Sequence, residues 1–239
     1  MAYFPFFMDI AGKRGVILGG GRIAAGKIAA LLPFAPQLVC IAPVICGEIE
    51  RMAASLPEGQ GGGLRLIYRA AQKADLEGAF FVIAATDSPE TNAWAAELCR
   101  EQGILINAVD DRKNCSFYFP ALVKRGPVVV GISTGGCSPA AASWIRRKAE
   151  RMVPEEMGDT VESLGELRDR VKKSVPQADV RAELLKRLFA FCEERDFRLE
   201  DGELEKALEA FMKEVRKAAD GDGKPEVDSR RDGRKGLKE

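Results

Sequence analysis

The chain has 239 residues, 46% of them hydrophobic, and 36 basic side chains balance 36 acidic ones. It can therefore bury a core of one large or two modest domains, and its total charge points neither to nucleic acid nor to a membrane surface. Histidine is absent, which excludes a His-based triad, an H-E-x-x-H zinc site and any imidazole base, leaving proton transfer to carboxylates, Lys, Tyr, Cys or water.

In chain order, Val16–Leu18 reads as a short buried strand running into consecutive glycines, and Arg22–Leu32 as the following helix, stopped by Pro33. Gln37–Ala42 is a second strand, Leu64–Tyr68 a third after the glycine-rich Glu58–Gly63 loop, and Ala79–Ala85 a fourth, apolar throughout as a strand covered on both faces should be. A helix to about Gln102 has Ser88 as N-cap and Pro89 as its first residue, and Ile104–Val109 is a fifth strand. This alternation predicts an α/β, Rossmann-like, doubly wound parallel sheet over roughly the first 110 residues. Pro127–Ser133 is a further strand, followed by the "TGGCSP" loop and a helix capped by Ser138 with Pro139 at its start.

Beyond Glu155 only helical spacing remains. The stripes Met157, Val161, Leu164, Leu167, Val171, then Val180, Leu184, Leu188, Phe191, then Leu204, Leu208, Phe211, Val215 read as packing faces of a helical region. Residues 220–239 carry almost no apolar side chains and are expected to be disordered. Six cysteines without a C-x-x-C pair argue against a zinc knuckle or iron–sulfur cluster, so no metal ligands are assigned. No apolar run approaches the ~18 residues of a membrane span and the N-terminus lacks a secretory signal, so a cytoplasmic chain is expected.

Three segments carry candidate chemistry. Gly19, Gly21 and Ala24 fit G-x-G-x-x-A: the first glycine permits a tight turn, the second lets backbone approach a pyrophosphate, and the small third residue permits close helix–strand packing. The acidic ribose-binding residue usual at the end of the second strand is absent, its place taken by Ala42, Pro43 and Val44. Thr86 and Asp87 follow the fourth strand, where parallel sheets form their ligand crevice, although Asp87 or Ser88 could equally cap the next helix. Asn107, Asp110 and Asp111 follow the fifth strand; with no histidine, Asp110 suits a general base if partly desolvated, while Asp-Asp-Arg-Lys-Asn is also ordinary turn chemistry. Basic residues recur nearby at Arg112, Lys113, Lys124, Arg125, Arg146, Arg147 and Lys148, either as a solvated face or as a surface for a polyanion.

The segments "FPFFMDIAGKRGVILGGGRIAAGK", "VIAATDSPETN", "INAVDDRKNCSFYFPALVKRGPVVVGISTGGCSPAAASWIRRKAE" and, more weakly, "LGELRDRVKKS" resemble, in order and spacing, the precorrin-2 dehydrogenase / sirohydrochlorin ferrochelatase family of the siroheme synthase N-terminal type. The resemblance implies NAD-dependent dehydrogenation of precorrin-2 to sirohydrochlorin in siroheme biosynthesis, followed in some members by insertion of Fe2+ as a substrate. It implies a homodimer built from an NAD-binding Rossmann domain (1–112), an α+β dimerisation region (113–153), a helical C-terminal domain (154–219) and the tail (220–239). The family's catalytic aspartate falls on Asp110, and its NAD contacts fall on Gly19, Gly20, Gly21, Arg22, Ile23, Pro43, Val44, Thr86 and Asp87.

Asn107 and the loop residues Ser133, Thr134, Gly135, Gly136 and Ser138 are then expected at the substrate, where glycine-turn amides and a helix N-terminus would meet a carboxylate of the tetrapyrrole. Where the family's first loop runs A-x-R-K, this chain has Ala25-Gly26-Lys27, and no methyltransferase module follows, so a full three-step synthase is not expected. Two other readings stay open, a chelatase without cofactor turnover and an NAD-sensing regulatory module. The Asn107–Asp110 cluster and the 134–139 loop disfavour the sensor, which needs neither.

Overall fold

A computed structural model describes residues 4–56 and 62–220. Five parallel strands form one sheet: β1 (Arg14–Leu18), β2 (Gln37–Ile41), β3 (Gly63–Ile67), β4 (Phe81–Ala84) and β5 (Leu105–Ala108), in the order β3-β2-β1-β4-β5. The strand order reverses at β1, and register is continuous across it, with Val16 opposite Val39 on one side and Val82 on the other. This is the doubly wound sheet expected from the alternation of elements.

Period-2 side-chain direction divides the apolar strands between two cores. Val16, Leu18, Val39, Ile41, Val82 and Ala84 pack with Ala95, Ala96 and Cys99 of helix α3 (Pro89–Gln102). Ile17, Leu38, Cys40, Phe81 and Ile83 pack on the other face with Ala24, Ala25, Ile28 and Leu31 of helix α1 (Arg22–Leu31) and Ile49 of helix α2 (Gly47–Ser55). The strands are thus apolar without alternation because both faces are covered.

The predicted and observed elements differ at particular ends. The first helix stops at Leu31 and Leu32–Phe34 tighten into a 3-10 turn around Pro33, closed by Ala35 in the left-handed region at φ 52°. The fourth strand begins only at Phe81, because Ala79 is held in a turn by its amide bond to Leu76 O. Helix α2 was not expected: only Ile49 of its nine residues is buried, so it carries no apolar stripe to read. Strand β6 (Ala121–Arg125) was not expected either; it pairs with β7 (Val128–Ile132) in a separate two-stranded sheet, in which only Val123 and Ile132 are buried.

Within the described residues the chain divides into two compact units, the first running to Leu122 and including Gly131–Arg146, the second comprising Val123–Val130 and the chain from Arg147 onward. Helix α4 (Pro139–Met152) starts at the expected cap: Ser138 Oγ accepts from Ala141 N at 3.1 Å. In the second unit, α5 (Met157–Ser174), α6 (Ala178–Glu193) and α7 (Glu203–Asp220) enclose a core of Leu167, Val171, Leu184, Leu188, Leu204 and Leu208. All the stripe positions named above take part in it except Val161. The segment 220–239 lies outside the described residues apart from Asp220, which ends α7. No described helix is long and apolar enough to cross a membrane, and no group of three acidic or cysteine side chains among the described residues could hold a metal ion. Burial pushes the Cys40 thiol up to about 12 and the Cys99 and Cys192 thiols up to about 11, the state of inert packing cysteines.

Candidate functional site

The carboxyl ends of the strands are stitched into one edge. Gly19 N donates to Ile41 O at 3.0 Å, Ala85 N to Leu18 O at 2.8 Å and Val109 N to Ala84 O at 2.9 Å. The three glycines after β1 meet different demands on this edge. Gly19 has φ +112° and a Cβ there would lie 2.2 Å from Ala85 O, while a Cβ on Gly20 would lie 2.1 Å from Val44 O. A Cβ on Gly21 would meet nothing within 4 Å. Gly19 and Gly20 are therefore dictated by the protein's own backbone, and Gly21 faces open space, where a ligand can approach. The packing requirement at Gly20, the unspecified position of the motif, was not visible in the sequence because it depends on the Val44 carbonyl folding back over the loop; Cys46 N donating to Gly20 O at 2.8 Å holds that return in place.

Helix α1 opens at Gly21 without a side-chain cap and without an acidic residue in its first turn. Its leading amides have no intrahelical acceptors and its dipole is uncompensated, so this end favours an anion such as a dinucleotide pyrophosphate. Arg22 and Ile23 are exposed beside it, and Pro43 and Val44 are exposed at the end of β2, where no carboxylate stands. The cradle fits a dinucleotide.

On the neighbouring strand the choice between Asp87 and Ser88 as cap is resolved. Ser88 Oγ accepts from Thr91 N at 3.1 Å, while Asp87 is exposed. Thr86 is bracketed by Asn92: its hydroxyl donates to Asn92 Oδ1 at 2.8 Å, and Asn92 Nδ2 donates to Thr86 O at 3.1 Å. Asn92, 8% exposed, shapes this turn and was not singled out in the sequence, since a lone Asn inside a helix has no local signature.

After β5 the two adjacent aspartates separate in role. Asp111 accepts from Lys113 N at 3.2 Å and Asn114 Nδ2 at 2.7 Å, and so builds the turn. Asp110 is exposed and sits in the left-handed region at φ 60°, a conformation that Asp tolerates better than most residues. The Cys115 thiol lies 3.1 Å from Ala108 O and 3.2 Å from Asp111 O, closing the turn from below. Asn107 is 6% exposed and its amide donates to Phe117 O at 3.1 Å. Its donor is thus engaged in tethering the chain after the turn.

Lys27 of α1 reaches the same region. Its ammonium lies 4.0 Å from the Phe119 ring centroid. Burial pushes it below the ordinary lysine range, while the charges of Cys115 and Asp110 push it back up.

The 133–138 loop is ordered by its own side chains. Ser133 Oγ accepts from Gly135 N at 3.2 Å and Thr134 Oγ1 from Ser138 N at 3.3 Å, with Gly135 and Gly136 at φ +61° and +72°. A Cβ on Gly136 would come within 2.7 Å of the Arg112 guanidinium, so Arg112 lies directly over this loop and joins it to the Asp110 turn. Ser133, Thr134 and Gly136 line a cavity of about 340 Å³ with Tyr118, Phe119, Ile132 and Arg146. Gly135 and Ser138 shape the loop without lining the cavity, and Asn107 and Asp110 are not among its lining residues.

Comparison with known proteins bears on this arrangement. Residues 6–121 match the family described as putative NAD(P)-binding, and residues 125–152 match the sirohaem biosynthesis protein central family. The chain is 35% identical over 175 residues to the siroheme synthase of Sodalis glossinidius, covering 73% of this chain and 36% of that protein. It is 38% identical over 180 residues to the siroheme synthase of Nitrosospira multiformis, covering 74% and 37%. The chain is a homologue of the siroheme synthases. It spans 36% and 37% of the length of these two relatives, and its glycine loop, Thr86 turn and Asp110 turn all fall within the NAD(P)-binding match. The solved structure of "SirC, precorrin-2 dehydrogenase" has the same fold, with a TM-score of 0.65 at 22% identity over 90% of this chain and all of that one.

Proposed function

We propose that this siroheme synthase homologue is an NAD-dependent dehydrogenase that converts precorrin-2 to sirohydrochlorin in siroheme biosynthesis, with Asp110 as its proton acceptor. The observation that carries this reading is the placement, on one sheet edge, of an uncapped α1 N-terminus and a turn that presents one aspartate outward while its neighbour holds the turn. Bound NAD supplies the hydride acceptor. The α1 amides and the open face at Gly21 hold the pyrophosphate, with Arg22, Ile23, Pro43, Val44, Thr86 and Asp87 around the remainder. Asp110 is exposed in this chain, so the bound tetrapyrrole itself must exclude water from the carboxylate.

The substrate is a polycarboxylate, and Arg112 over the 133–138 loop and Arg146 in the cavity wall offer it charge-assisted hydrogen bonds. Asn107 acts by holding the Asp110 turn against Phe117 O. Residues 1–112 then serve as the NAD-binding domain, 113–153 as the dimerisation region and 154–219 as the helical domain. A homodimer is supported by the sparse burial of β6 and β7, since a two-stranded sheet is marginal on its own. Six unpaired cysteines suit a reducing, cytoplasmic setting.

Absorbance of NADH on mixing the protein with precorrin-2 and NAD tests the reading directly. Wild type is expected to turn over, and Asp110→Ala to lose ~100-fold or more in rate, the scale of a lost general base. An unaffected Asp110→Ala would remove this residue from the reaction, and wild type without NADH formation would overturn the dehydrogenase.

A further inference from the structure

The cradle lacks one part that a dinucleotide fold ordinarily supplies. No carboxylate stands at the end of β2 to meet the adenosine ribose, and Pro43 and Val44 are exposed in its place. A carboxylate reaches this edge from the next element instead. Glu50 lies in the first turn of α2, and its Oε1 accepts from the Tyr68 hydroxyl at 2.7 Å. Tyr68 directly follows β3, whose last residue, Ile67, accepts from Ala42 N at 3.1 Å. The phenol thus leaves the sheet beside the end of β2 and fastens Glu50 to that edge.

Backbone contacts tie the pair to the glycine loop. Cys46 N donates to Gly20 O at 2.8 Å and Cys46 O accepts from Glu50 N at 3.3 Å, so one residue bridges the loop and the turn that carries Glu50. A Cβ on Gly47, the next residue, would lie 4.0 Å from Glu50 Oε2, and glycine puts no side chain over that oxygen. Glu50 and Tyr68 are both exposed, and among the described residues Glu50 forms no ion pair. With one oxygen held by the phenol, the other remains to accept from a ligand.

The two helix starts on this edge differ in charge. Helix α1 has no acidic residue in its first turn and suits a pyrophosphate, whereas α2 carries Glu48 and Glu50 in its own. A carboxylate accepts the hydroxyls of a ribose and repels a phosphate at the 2′ position.

We propose that Glu50, oriented by the Tyr68 hydroxyl, is the residue that selects NAD over NADP, a carboxylate delivered by α2 in place of the one missing from β2. The inference rests on the dinucleotide cradle of the dehydrogenase reading above, and it names which cofactor that cradle takes.

Calorimetric titration of the full chain with NADH and with NADPH tests it without turnover. Wild type should bind NADH more tightly by about tenfold or more, the scale of a hydrogen bond to a charged group. Glu50→Gln should lower that ratio by about tenfold, losing NADH affinity while NADPH affinity holds or rises. Tyr68→Phe keeps the charge and loses its orientation, so NADH should weaken by about threefold with NADPH still disfavoured. Melting midpoints should stay at wild type, since both side chains are exposed.

An unchanged ratio in Glu50→Gln, or equal weakening of both dinucleotides, overturns the proposal. So does wild type that prefers NADPH, a preference that would trace to Arg51, whose Nη1 lies 3.5 Å from the same Cβ position on Gly47. Wild type that binds neither dinucleotide overturns this inference and the cofactor together. Selective NADH binding without NADH formation from precorrin-2 and NAD defeats the dehydrogenase reading alone.

Discussion

Gly20 and Gly21 are adjacent and identical in sequence, yet substitution should separate them. In Gly20→Ala the new methyl carbon would lie 2.1 Å from the Val44 carbonyl oxygen, against backbone that cannot rotate away. The expected loss is about 1–3 kcal/mol or more of stability, read as a lowered midpoint in urea. In Gly21→Ala the methyl meets open space, so the melting curve should stay at wild type while NAD affinity falls on the order of tenfold, or ~1.4 kcal/mol, in a calorimetric titration. Equal destabilisation by the two variants would show that Gly21 faces the protein and not the ligand. The same logic distinguishes Asp110 from Asp111: one carboxylate points out, the other holds Lys113 N and Asn114 Nδ2.

At the scale of elements, the loop before β4 is fastened by charge. Asp75 pairs with Arg69 at 2.7 Å and accepts from Gln72 N at 2.7 Å, and Arg14 at the start of β1 donates to Asp75 O at 2.8 Å and also to Glu77 O. The Arg69 guanidinium holds the Asp75 carboxyl below the usual carboxylate range, against the opposing effect of burial. A depressed carboxylate contributes stability that is present above its unfolded value, about 3.9, and is lost as pH falls through the folded one. Asp75→Asn should therefore be less stable than wild type at neutral pH, with the gap closing as the solution is acidified below about pH 4. Denaturant midpoints measured across that range check it; a constant gap would mean that the amide replaces the carboxylate's role without regard to charge.

The elements themselves were legible to different degrees. Ser88-Pro89 announced α3 to the residue because capping is local chemistry, and the unbroken apolar runs of β1, β2 and β4 announced strands covered on both faces. Helix α2 and strand β6 escaped because each buries a single side chain, Ile49 and Val123. An element that contributes one residue to a core has no period to detect.

For the molecule as a whole, the expectation is a dimer. Of the ten residues in β6 and β7 only Val123 and Ile132 are buried, and on α4, which follows them, Trp144 and Met152 are 57% and 70% exposed. Light scattering on the eluting protein should give twice the 26.0 kDa chain mass, and charged substitution of Trp144 should shift it toward that of one chain. A monomer at micromolar concentration would remove the assembly from the proposed function.

The sequence by itself determined the doubly wound sheet, the caps of α3 and α4, and the positions of the glycine loop, the Thr86 turn and the Asp110 turn at strand ends. These follow from hydrophobic period and from turn and cap chemistry, which act over a few residues. Tertiary structure alone decided that Gly20 is a packing glycine, that Asp111 builds the turn and leaves Asp110 facing out, that Asn107 and Asn92 spend their amides inside the fold, and that Arg112 covers Gly136. It also brought Lys27 onto Phe119, 92 positions further along the chain. Each of these depends on where a distant carbonyl, ring or charge comes to rest, and no local spacing records such a distance.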